Sequence, residues 1–162
     1  MNRKWVCTTA CLVSALAILT AAGCEPPPIQ PTTIKYDEDV CAECQEAIRD
    51  RRFAAQYALP GGMVKKFDDP GCLVRAFRSE PVAPKAAHFQ DFLKDRWLHD
   101  KEAWFAPAPK GESPHGYGWA VYGSFGDAQD AVTTGAGGQI LPFEQAKDRI
   151  ARGAAQDTGT PR

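Results

Sequence analysis

RFAAQYALPGGMVKKFDDPGC, residues 52–72, decides how this chain is laid out. Arg52-Phe53-Ala54-Ala55-Gln56-Tyr57 reads as a strand, and Pro60-Gly61-Gly62 is a strong turn signal. Met63-Val64-Lys65-Lys66-Phe67 alternates apolar and polar side chains, the period of a strand with one wet face. Asp68 or Asp69 can accept the free N–H groups of a helix start, with Pro70 pre-set for its first turn. That helix carries Cys72, Leu73, Val74, Ala76 and Phe77 towards Arg78. A strand, a hairpin turn, a strand and a helix therefore occupy residues 52–78.

A second unit of similar layout follows. Arg96-Trp97-Leu98-His99-Asp100, Ala103-Trp104-Phe105-Ala106 and Gly118-Trp119-Ala120-Val121-Tyr122 read as short strands. Asp127 can cap a helix running to about Thr134, which Gly135 ends with Gly137 and Gly138. Residues 138–141 read as a short strand. Residues 142–150 read as an amphipathic helix with Phe143, Ala146 and Ile150 on one side. The expected fold is α+β: two small similar modules of ββαβ type, over residues 37–88 and 89–150. The small, polar stretch 151–162 is expected to be disordered.

Upstream of the modules lies a targeting segment. Arg3 and Lys4 precede an uncharged run from Trp5 to Ala22, and small residues lead into Cys24, the pattern of a secretory signal over residues 1–23. Ala22-Gly23-Cys24 resembles the bacterial lipobox, although Ala21 stands where a leucine is usual. Cys24 would then be acylated, anchoring a lipoprotein in the cell envelope, facing the periplasm or the outside. Simple secretion and a retained anchor are the alternatives. Residues 24–36, with Pro26, Pro27, Pro28 and Pro31, read as an extended tether. Removing the leader takes away two cations and leaves 17 basic against 20 acidic residues, a net charge of −3. That balance excludes a nucleic-acid partner.

Processing also sorts the six cysteines. Cys7 and Cys11 leave with the leader and Cys24 goes to lipid, so Cys41, Cys44 and Cys72 remain. Three thiols cannot make a complete internal disulfide framework. Cys41 and Cys44 sit in Asp39-Val40-Cys41-Ala42-Glu43-Cys44. A thioredoxin-like role wants a strand before such a pair, and Glu43 between the thiols raises rather than lowers their pKa. A four-thiolate zinc site needs a second pair. Cu(I) needs only two or three soft donors and fits better. A structural disulfide stays open. Cys72, beside Leu73 and Phe77, reads equally as a small buried hydrophobe.

The histidines carry unequal weight. His88 reads as a surface residue. His99, beside Asp100, reads as a structural imidazole with a fixed tautomer. His115, in Ser113-Pro114-His115-Gly116-Tyr117-Gly118, sits in a tight loop that presents its side chain.

Five blocks in order resemble the NosL family, the copper-binding lipoproteins accessory to nitrous oxide reductase maturation. They are Asp39-x-Cys41-x-x-Cys44, residues 52–56, residues 67–72, Leu98-His99-Asp100 and Ser113-Pro114-His115-Gly116. The resemblance implies two ββαβ-type modules like those of the organomercurial lyase MerB. It also implies a non-enzymatic Cu(I) chaperone that passes copper through an ABC-transporter-type complex towards nitrous oxide reductase. The metal ligands fall on Cys41, Cys44 and His115, with Cys72 and His99 of second rank. Binding should weaken as pH falls through the imidazole range near 6.5. Two departures stand out. Gln45-Glu46 replaces the family's Gly-Met after the second cysteine, and His115 stands where its loop methionine is usual. A divergent Cys/His copper site, or one retuned for zinc or Cu(II), follows. Two other classes remain: a thiol-dependent redox or lyase enzyme using Cys41, Cys44 or Cys72, and an interaction domain whose cysteines are oxidised and inert.

Overall fold

The computed structural model describes residues 29–135 and 137–157. The leader over 1–23, the acylation site Cys24 and the beginning of the tether lie outside the described residues, as do residues 158–162. Among the described residues no helix is long and apolar enough to cross a membrane.

Two small antiparallel sheets organise the chain. The first has the order β2-β1-β3-β4, from β1 (Ala55–Ala58), β2 (Val64–Phe67), β3 (Ala86–Gln90) and β4 (Trp97–His99). Helix α1 (Pro70–Ser79) connects β2 to β3. The second has the order β6-β5-β7, from β5 (Trp104–Pro107), β6 (Trp119–Tyr122) and β7 (Leu141–Pro142), with α2 (Phe125–Thr134) between β6 and β7. Helix α3 (Phe143–Asp157) closes the chain. In each sheet a hairpin is followed by a helix, and a third strand then returns to the free side of the first. The ββαβ repeat is therefore present, with β4 added to the first copy.

The boundary expected at residues 88 and 89 is corrected, because it cuts through β3. The strand read at residues 96–100 belongs to the first sheet, where β4 pairs His99 with His88 and Leu98 with Phe89. The sequence does not predict β3. All five of its residues are buried, and its one alternation, Ala87-His88-Phe89-Gln90, is too short to mark a strand by itself. His88, expected at the surface, is 5% exposed.

Local chemistry moves three other boundaries. The Asp50 side chain accepts from Arg52 N–H at 3.0 Å, folding residues 51–53 into a 3-10 turn, so β1 starts only at Ala55. Helix α2 is capped by Ser124, whose Oγ accepts from Asp127 N–H at 3.0 Å, three residues before the expected cap. Helix α3 runs past Ile150 to Asp157, into the stretch expected to be disordered. The end of the expected tether is not free chain either. Ile34 is buried, and Thr32 makes three hydrogen bonds of 2.9–3.0 Å with the amide of Gln56 on β1.

The two sheets share one core. Phe89 from β3 and Phe105 from β5 meet edge to face at 4.9 Å, and Phe143 of α3 packs on both, at 5.1 and 5.7 Å. Each ring buried this way is worth roughly 2 kcal/mol, so the modules hold each other in fixed register. That fixed register lets a loop of the second module reach a site built on the first.

Candidate metal centre

The Cys41–Cys44 segment is a small closed loop. Val40 and Ala47 form a β-bridge, Cys41 N–H donates to Glu46 O at 2.8 Å, and Gln45 N–H donates to Cys41 O at 3.1 Å. Closing so tight a loop puts Gln45 in the left-handed region, at φ 66°. This is where the resemblance expects glycine, which takes that conformation without steric cost. Ala42 N–H bonds to Lys66 O at 2.9 Å and Glu43 pairs with Arg75 at 3.0 Å, so the loop is pinned to β2 and to α1.

Beneath it lies the junction between β2 and α1. Asp69 is the buried helix cap: Oδ1 accepts from Gly71 N–H at 2.7 Å, and Oδ2 accepts from His115 N–H at 3.1 Å. With Asp69 as cap, Cys72 is the third helical residue. Asp68, one residue before the cap, is free to face the loop.

Three segments thus converge. The sulfurs of Cys41, Cys44 and Cys72 and a carboxylate oxygen of Asp68 all lie within 4.8 Å of one another. All three thiols are free. Cys41 and Cys72 are buried, while Cys44 is partly exposed and donates to Asp68 Oδ1 at 3.5 Å. His115 stands on the other side of the same carboxylate, with Nε2 3.4 Å from Asp68 Oδ2 and 3.7 Å from Glu46 Oε2. The centre therefore has a soft wall of three sulfurs and a harder rim of His115 and Glu46, with Asp68 between them. Beside the rim lies a cavity of about 360 Å³ lined by Glu46, Arg52, Asp68, Phe92 and Glu112, among others.

The thiols do not titrate alike. The Cys72 thiol donates to the Cys41 sulfur, which brings Cys41 down to about 6 and pushes Cys72 up: one shared proton, seen from both sides. Burial pushes Cys44 up to about 12. Burial also raises Asp69, against the opposing bonds from Ser113, Gly71 and His115. Among the three thiols these shifts favour one negative charge, on Cys41.

Of the residues singled out in the sequence, Cys41, Cys44 and Cys72 meet directly, and His115 meets them through Asp68. His99 does not join them. It lies on β4, at the sheet edge opposite β2. Asp68 was legible only as a possible cap. The signal that marks it is the doubled Asp68-Asp69, since one carboxylate suffices to cap a helix. Cys72 is likewise more than a packing residue, because it sits at the helix start facing Cys41.

No protein-family model matches the chain, and no curated protein matches it in sequence. Among solved structures, the chain is similar to the copper chaperone NosL from Shewanella denitrificans. The TM-score is 0.61 at 19% identity, covering 73% of this chain and 96% of that one. The two chains share a fold.

Proposed function

We propose that this protein is a non-enzymatic carrier of a thiophilic ion, Cu(I) in the first place, held by Cys41, Cys44 and Cys72. The observation that carries the reading is the set of three free sulfurs within 4.8 Å. Cu(I) is satisfied by two or three such donors, and thiolates are among the softest a protein offers. Asp68 accepts a thiol proton and His115 borders the mouth, where an incoming partner ligand would meet the ion. The likeness in fold to a copper chaperone supports the same reading. The wider role completes the proposal: an acylated Cys24 at the cell envelope, and transfer through an ABC-transporter-type complex towards nitrous oxide reductase.

The thiol-enzyme reading is weaker on accessibility. A nucleophile must be both ionised and reachable. Here the thiol held near 6 is Cys41, which is fully buried, and the reachable thiol, Cys44, is pushed up to about 12. A zinc reading has one observation in its favour, since Asp68 would complete a four-donor set with three thiolates.

Competition titration with a Cu(I) chelator tests the proposal. The reduced protein lacking residues 1–24 should bind one Cu(I), and Cys41→Ser/Cys44→Ser should lose at least a hundredfold in affinity. Affinity should also fall with decreasing pH, because protons compete for the ligands. The fall should steepen by about tenfold per pH unit below pH 6, where Cys41 is itself protonated and its proton must also be displaced. Parent-like affinity in the double variant would sink the reading, and tighter binding of Zn(II) than of Cu(I) would replace the ion.

A further inference from the structure

Residues 29–33 form a strap across the first sheet. They follow one row of cross-strand partners, Lys66-Gln56-His88, on the face opposite Phe67 and Phe89. The Ile29 carbonyl accepts from His88. Thr32 N–H and Oγ both donate to Gln56 Oε1, and Gln56 Nε2 donates back to Thr32 O. Lys66 Nζ donates to Thr33 O at 2.7 Å. The strap leaves Gln56 and His88 buried. Only four residues then separate Cys24 from Ile29, a reach of at most about 18 Å. A chain anchored at Cys24 is therefore not lifted off the bilayer. Its folded part lies against it.

Two loops at one end of the sheet are made for that contact. Leu59-Pro60-Gly61-Gly62-Met63 joins β1 to β2, and Glu80-Pro81-Val82-Ala83-Pro84-Lys85 leads from α1 into β3. Ala58 pairs with Val64 on one side and Ala86 on the other, so the two loops emerge side by side. They start two residues, about 7 Å, beyond the strap row at Gln56. Met63 is 62% exposed and Val82 52%, with Pro60, Pro81 and Ala83 exposed beside them. Neither 59–63 nor 81–84 holds a charge. At their flanks Lys65 and Glu80 pair with each other at 2.7 Å, while Lys85 has no ion-pair partner among the described residues. An uncharged apolar tip with a spare cation suits the headgroup boundary of an anionic bilayer. The other end of the sheet is the reverse. Glu46, Asp68 and Glu112 border the thiol centre there, and α1 runs about 15 Å from that end to the 80–85 loop.

We propose that loops 59–63 and 80–85 form a membrane-contact surface, seated in the headgroup region of an anionic bilayer with the thiol centre turned to the aqueous side. The inference rests on the envelope anchor of the proposed function. Strap and tip together hold the centre at a fixed height and orientation, clear of lipid and open to a partner protein.

The test is backbone hydrogen exchange on the protein lacking residues 1–24, which keeps every described residue. A hexahistidine tag in their place holds it on vesicles of phosphatidylcholine, phosphatidylglycerol and a nickel-chelating lipid, so the result does not depend on acylation. The amides of Gly61, Met63, Val82 and Ala83 should exchange at least threefold more slowly on the vesicles than in solution. Those of residues 44–46 and 113–116 should not change. Met63→Asp/Val82→Asp should abolish the protection and, in the untagged protein, leave Cu(I) affinity as it was. Protection at the thiol end, or at neither end, overturns the surface. Protection that appears without vesicles as protein concentration rises assigns the tip to self-association and overturns it too. Acylation is read separately, from the mass of the chain extracted from cells, and its failure bears on the anchor alone.

Discussion

The two strand-to-helix junctions of this protein are built to one plan and differ almost entirely in chemistry. In the first module β2 ends at Phe67, two residues follow, and α1 begins, giving Phe67-Asp68-Asp69-Pro70-Gly71-Cys72. In the second β6 ends at Tyr122, two residues follow, and α2 begins, giving Tyr122-Gly123-Ser124-Phe125-Gly126-Asp127. Asp69 and Ser124 are equivalent caps, and Cys72 and Asp127 are equivalent third residues. The residue before each cap is Asp68 in one and Gly123 in the other. Asp68 faces three thiols. Gly123 leaves room for the Arg96–Asp91 ion pair: a Cβ there would sit 1.9 Å from a guanidinium nitrogen. Asp127 is used up by Lys94 at 2.8 Å. The difference lies in what covers each junction. The first is roofed by the Cys41–Cys44 loop and by the 113–118 loop of the other module, while charge pairs fill the second.

That contrast can be broken most severely at the caps. Asp69 is buried and serves two backbone N–H groups, one of them on His115, whereas Ser124 serves one N–H near the surface. Asp69→Ala should cost about 3 kcal/mol, because a buried donor and a part-buried one lose their acceptor, against about 1 kcal/mol for Ser124→Ala. Urea denaturation measures both, and equal losses would mean that the first junction is no more committed than the second.

The glycines probe the same asymmetry more gently. A Cβ on Gly71 would lie 2.1 Å from Cγ of Tyr117, a ring root that cannot move without the 113–118 loop. On Gly123 it meets the far end of Arg96 and, at 2.7 Å, Oδ2 of the buried Asp91, so the ion pair itself must give way. Gly71→Ala and Gly123→Ala should therefore each cost about 2–3 kcal/mol, the first through the loop and the second through a buried ion pair. The first should also weaken Cu(I) binding and the second should not. If Gly71→Ala is silent in the metal titration, the loop bearing His115 does not matter to the centre.

The smallest effect sharpens the comparison at the covering loop, which the second module lacks. Gln45→Gly relieves a left-handed residue, a strain of about 1 kcal/mol. It also gives up the amide contacts to Cys41 O and Ala42 O and adds freedom to the unfolded chain. The net gain in thermal stability should be no more than about 0.5 kcal/mol. A loss above about 1 kcal/mol would show that the Gln45 amide, rather than the backbone turn, holds the loop closed.

Much of this was readable from local chemistry. Gly61 and Gly62 both take positive φ in the β1–β2 hairpin, and Pro70 follows its capping aspartate as expected. The repeat was visible because turn and cap signals act within a few residues of themselves. Strand β3 was not visible, because its alternation, Ala87-His88-Phe89-Gln90, spans only four residues. For the same reason His88 looked like a surface residue until its neighbours were in place. The candidate centre was half visible. The Cys41/Cys44 pair stands out by spacing, but Asp68 and Cys72 carry ordinary roles as cap and packing residue until the fold turns them towards it.

The sequence by itself determined the α+β class, the first hairpin, a helix cap at Asp68 or Asp69 and the surplus of soft donors, since each depends on residues adjacent along the chain. Only the tertiary structure decided that Cys72 joins Cys41 and Cys44, that Asp68 lies between them and His115, and that His99 faces His88 instead. Apart from His88 and His99, those meetings join segments two dozen residues or more apart. The arrival of His115 follows from how Phe89, Phe105 and Phe143 lock the two sheets together, a packing outcome that no local pattern encodes.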